Sequence, residues 1–165
     1  MLEALIIALV AVTALLALRR AWGLWLRRRS LARLQGVPIV REAHGVTIRA
    51  LLYGTPPMLG LNPKRTNHLV GDLTLTADRF VLASNRGLLA DLGAGFGRRF
   101  TSVRCTGPGR LVIEGDVPYP NRERGLYRFE LVVDDAAGWA EALSAFVRED
   151  ASAPPFARGF PPPKG

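Results

Sequence analysis

The sequence has little of what catalysis and metal binding usually require. Its 165 residues include one cysteine, Cys105, and two histidines, His44 and His68. A single cysteine closes no internal disulfide, and one Cys with two distant His makes no metal motif. Both histidines are flanked by residues that read as loop, so no base is evident beside the thiol. Cys105 falls in an apparent strand, where a small core residue is expected. A lone thiol also agrees with a cytoplasmic setting. The glycine-rich stretch 93–97 lacks the Gly-Lys-Ser/Thr of a phosphate loop, and Arg98 stands where a dinucleotide fingerprint needs its third glycine. No helix follows it to receive a phosphate. Acidic residues are absent between Glu3 and Glu42. The neighbouring carboxylates Asp134-Asp135 and Glu114…Asp116 read as a helix cap and a turn. The sequence implies no catalytic residue, cofactor, metal or small-molecule substrate, and the chain reads as a non-enzyme.

Two things are abundant: aliphatic residues at the N-terminus and arginine just after them. Residues 2–18 hold ten Leu, Ile and Val against one charge, Glu3. Seventeen residues are at the short end of what crosses a bilayer. Each such aliphatic residue favours insertion by about 0.3–0.6 kcal/mol at the bilayer centre, which outweighs one terminal Glu. A cleaved signal peptide carries its positive charge before the apolar run. Here the order is reversed, so an uncleaved anchor is expected. Seven of the 22 Lys and Arg residues lie within 1–41. A basic block would suit nucleic acid or anionic lipid on charge alone. Its position beside the apolar run selects the membrane, and no nucleic-acid partner is expected.

Arg19, Arg20, Arg27, Arg28 and Arg29 follow the run, with Trp22 and Trp25 between the two clusters. These seven residues form the expected membrane interface, with the arginines meeting lipid headgroups. By the positive-inside rule the N-terminus lies outside and the rest in the cytoplasm. Residues 1–35 read as anchor and juxtamembrane helix, 36–150 as one β domain, and 151–165 as an extended tail with five prolines.

Within 36–150 short alternating runs are bounded by turn residues, as in an all-β domain. Strands are expected at 46–53, 71–76, 80–83, 99–105, 110–114 and 127–133. A helix follows, capped by Asp134 or Asp135, with Trp139, Leu143, Phe146 and Val147 as one apolar stripe. Tyr127 and Phe129 alternate with charges as core residues do, unlike the exposed aromatics of an RNA-binding sheet.

The segments Gly71–Leu82, Phe129–Val133 and Trp139–Val147 carry a resemblance. Short antiparallel strands closed by one amphipathic, Trp-bearing helix are similar to the pleckstrin-homology (PH) superfold. With the N-terminal anchor and arginine stop, the chain resembles small bacterial membrane-anchored PH-like proteins. The resemblance implies a mainly β fold: one transmembrane helix and a PH-like small barrel or sandwich, capped by the C-terminal helix. It also implies a binding or scaffolding module at the bacterial inner membrane.

Three further segments are candidates for partner contact. Met58, Leu59 and Leu61 lie in a long proline-rich loop, as a lid over the sheet edge or as a contact with a neighbour. Arg98 and Arg99 end the glycine-rich loop and suit phosphate or carboxylate on a partner. Phe156 and Phe160, with Arg158 between them, are aromatic anchors on a stiff tail. The expected function is an accessory or scaffold subunit of a larger integral-membrane assembly, for example respiratory or photosynthetic. A tethered lipid-sensing or signalling domain is the alternative.

Overall fold

The computed structural model describes residues 2–53, 61–62, 65–93, 100–118 and 124–147. The chain opens with α1 (Leu2–Ala32), a 31-residue helix. At 1.5 Å per residue it is about 46 Å long. It is long and apolar enough to cross a membrane. Short turns end it: the Leu34 N–H bonds the Leu31 carbonyl and the Val37 N–H bonds the Leu34 carbonyl. Gly36 takes the left-handed conformation, φ +78°, that a side chain disfavours. Pro38 then directs the chain into the sheet.

Among the described residues seven strands follow: β1 (Ile39–Tyr53), β2 (Asn67–Thr76), β3 (Arg79–Ser84), β4 (Gly87–Gly93), β5 (Ser102–Gly107), β6 (Arg110–Pro118) and β7 (Arg124–Val132). They form one curled antiparallel sheet in the order β4-β3-β2-β1-β7-β6-β5. The long β1 is the hinge, pairing with β2 on one side and β7 on the other. The helix α2 (Ala136–Leu143) and a single 3-10 turn, Ser144–Phe146, follow the last strand.

One apolar core lies inside the curl. Ile48, Leu73, Phe80, Leu82, Leu111, Ile113 and Leu131 are fully buried there. Phe80 and Phe100 meet edge to face at 5.6 Å. Trp139, Leu143 and Phe146 enter the same core, as three of the four members of the expected stripe; Val147 is partly buried against it. Asp135 caps α2, accepting a bond from the Gly138 N–H at 3.1 Å. Its carboxyl lies below the ordinary range because of that bond, reinforced by Arg41 at 2.8 Å.

The structure departs from the sequence reading at several places. β2 begins at Asn67 rather than residue 71, β6 runs on to Pro118 and β7 begins at Arg124, and α2 ends at Leu143, which leaves Phe146 in the 3-10 turn. His44 and His68 lie in β1 and β2 rather than in loops. β1 begins at Ile39 rather than Val46. Register shifts between Ile39 and Arg41 and between Ala43 and Val46 break the alternation that marks a strand. β4 was not anticipated, because its alternation is interrupted by a shift opposite Leu82–Ala83 and by Asp91. Cys105 is exposed rather than a core residue. It lies on β5, the sheet's last strand, which pairs with β6 alone.

Candidate functional site

The described residues carry their unusual features where α1 meets the sheet and on the open sheet face beyond it. The residues of α1 from Ala4 to Leu18 with described side chains are exposed throughout. Below them the helix changes character. Gly23, Ser30 and Leu34 are buried. The spacing of seven places Gly23 and Ser30 on one face of α1, and Leu34 follows in the turn that ends the helix. That face lies against β4 and β3.

The contact has two points. At the upper one Gly23 meets the β3–β4 turn so closely that a Cβ on Gly23 would stand 2.9 Å from the Arg86 carbonyl oxygen. At the lower one the Ser30 hydroxyl donates to Asp91 Oδ2 at 2.7 Å. Asp91 is also gripped by Arg79, whose Nε and Nη2 donate at 2.8 and 2.7 Å. Burial pushes the Asp91 carboxyl up. The bonds from Arg79 and Ser30 and the charges of Arg79 and Arg33 outweigh it, and the pKa lies below its ordinary value.

The helix accounts for burial that the core does not. Val81 pairs with Asp91, on the face away from the core. Val81 and Ala83 are each 1% exposed, yet neither belongs to the core cluster. The helix, in contact with β3 and β4, lies over that side of the sheet. Sequence reasoning separated anchor from domain at residue 35 and missed this joint. The available signals were a glycine and a serine at helical spacing in an otherwise Arg- and Trp-rich segment.

On the same outer face, β1, β7, β6 and β5 carry a row of alternating charge. Arg49 pairs with Glu130 at 3.1 Å, and Arg128 with the same carboxylate at 3.0 Å. Glu114 accepts bonds from Ser102 Oγ at 2.8 Å and Arg104 at 3.0 Å, with Arg128 at 3.7 Å. Its side chain is 0% exposed. A buried carboxylate is tolerated when it is paired and hydrogen-bonded, and Glu114 meets both conditions. Arg104 and Arg128 are thereby held against the sheet. This is a charge ladder rather than an acid–base pair.

Among the described residues no group of three or more His, Cys, Asp or Glu is placed to hold a metal ion. Of the expected interface residues, Trp22 and Trp25 are exposed, with ring centroids 5.1 Å apart. Arg29 lies 5.3 Å from the Trp25 ring centre, a cation–π contact, and Arg28 is exposed beside it. Arg19, Arg20 and Arg27 lie within α1. Leu61 is 3% exposed and belongs to the core, so its side chain serves packing rather than a partner. Met58, Leu59, Arg98, Arg99, Phe156, Arg158 and Phe160 lie outside the described residues.

No family model matches the sequence, and no curated protein matches it.

Proposed function

We propose that this chain is a non-catalytic, single-pass accessory subunit. Its helix sits among the helices of a larger integral-membrane assembly, and its β domain braces that assembly from the cytoplasmic side. The observation that carries the reading is the joint between α1 and the β3–β4 hairpin. A sensor on a loose tether needs no such contact. A brace needs its domain fixed relative to its membrane helix, and the Gly23 and Ser30 contacts supply two points of fixation. The PH-like assignment is part of the proposal. A meander with β1 at its centre, followed by a Trp-bearing helix, supports it.

Purification in mild detergent through a C-terminal tag, followed by native mass spectrometry, tests the reading. Stoichiometric membrane subunits retained with the chain are the expected result. Recovery of the chain alone, with its helix inserted and its domain folded, would refute it.

A further inference from the structure

The joint fixes which end of the domain faces the bilayer. Gly87, the first residue of β4, touches Gly23, and Asp91, four residues on, bonds Ser30. Seven helical residues advance about 10 Å along α1. Four strand residues advance about 13 Å. β4 therefore runs alongside the lower helix in the same direction, away from the apolar segment. The β3–β4 turn, Ser84–Gly87, is its upper end.

Gly23 lies five residues past Leu18, about 7.5 Å along the axis. The headgroup layer beyond each hydrocarbon face is about 5–7.5 Å thick. The apolar run is short for a bilayer, which draws Arg19 and Arg20 toward the headgroups and Gly23 with them. The turn touching Gly23 thus falls at headgroup depth. Asn85 and Arg86 are exposed on it. Val70, whose carbonyl accepts the Asn85 N–H at 2.9 Å, is half exposed beside them. The charge is of the matching sign: no acidic residue occurs between Glu3 and Glu42, and Arg19, Arg20, Arg27 and Arg28 flank Gly23 along the helix.

We infer that the β3–β4 turn is a second membrane contact, held by the joint in the headgroup layer of an anionic bilayer with Asn85 and Arg86 against lipid phosphates. This rests on α1 being a membrane span, and it adds a surface of the domain itself. The opposite end of the β2–β3 hairpin, at Asp78, is seven residues from Asn85, about 23 Å away along the strand. It faces water.

The test uses the full chain with Cys105→Ser and one new cysteine at residue 10, 78 or 85, labelled with a small fluorophore. Each is reconstituted into vesicles of zwitterionic and anionic phospholipid containing a nitroxide on the headgroup or on the acyl chain. Headgroup nitroxide should quench the label at 85 several-fold more than the label at 78. Acyl-chain nitroxide should quench the label at 10. Gly23→Leu should abolish quenching at 85 while the label at 10 stays quenched and the circular dichroism stays β-rich. Equal, weak quenching at 85 and 78 with a quenched label at 10 overturns the inference alone. An unquenched label at 10 overturns the membrane reading on which it rests. Quenching at 85 that survives Gly23→Leu shows that the joint does not hold the turn, and also overturns the proposal.

Discussion

Gly23 and Gly87 meet backbone to backbone: a Cβ built on Gly87 would stand 3.2 Å from the Gly23 Cα. Glycine is needed on both sides, since Gly87 also holds φ at +135°. A Cβ on either glycine would press against backbone of the other element, so this approach depends on both. Gly23→Leu should open the joint without unfolding the core, at a cost of about 1–3 kcal/mol. Cleavage by trypsin after Arg33 reports it, because Leu34 is buried while the joint is closed. Faster cleavage in the variant is expected. An unchanged rate would mean that the contact contributes nothing.

The lower half of the joint is ionic and should respond to acid. The folded pKa of Asp91 lies below its unfolded value, so its contribution is present at neutral pH. It is lost as the pH falls below the ordinary carboxylate value of about 3.9 toward the lowered one. Asp91→Asn removes this dependence, and Ser30→Ala weakens the joint by about 1 kcal/mol. Trypsin is inactive at that pH, so pepsin cleavage around residues 33–37 between pH 5 and 2.5 is the measurement. A steeper rise for the parent chain than for Asp91→Asn is expected. Parallel profiles would remove Asp91 from the joint.

Glu114, unlike the partly buried Asp91, is a fully buried carboxylate. Glu114→Ala leaves Arg104 and Arg128 facing one another without their shared counter-charge. Breaking such a pair costs about 3 kcal/mol. Urea unfolding in detergent should show a lowered midpoint with an unchanged slope. A loss below about 0.5 kcal/mol would show that the ladder is solvated.

Trp139 is 2% exposed in the core, with the Arg41 guanidinium 5.6 Å from its ring centre. Trp139→Ala should cost about 3–5 kcal/mol in the same urea titration. A loss below about 1 kcal/mol would mean that α2 does not close the core.

Much of the fold was legible because burial repeats at the period of the backbone. Leu73 and Leu75 point to the core in an alternating strand, and the Trp139–Leu143 pair marks α2, with Phe146 following in the 3-10 turn. What escaped had lost its period. The first half of β1 passes through two register shifts, and β4 carries one opposite Leu82–Ala83 with Asp91 within its run, so neither alternates cleanly. The apolar span and exposed Trp22 and Trp25 were readable from local composition. The joint was not. Its chemistry resides in two glycines 64 positions apart and a serine paired with an aspartate 61 positions away, a separation that no local pattern encodes. Cys105 was misplaced for a related reason: alternation says which face a residue takes, and says nothing of whether an edge strand is covered.

The central claim is that the lower half of α1 and the β domain move as one body. A distance measurement between spin labels at Ala32 on the helix and Arg110 on β6, in the Cys105→Ser background, tests it most directly. Both sites are exposed, and they lie on separate elements. One narrow distance distribution, the same in detergent and in vesicles and broadened by Gly23→Leu, is predicted. A broad distribution in the parent chain would contradict the claim, because the domain would then swing freely from its anchor.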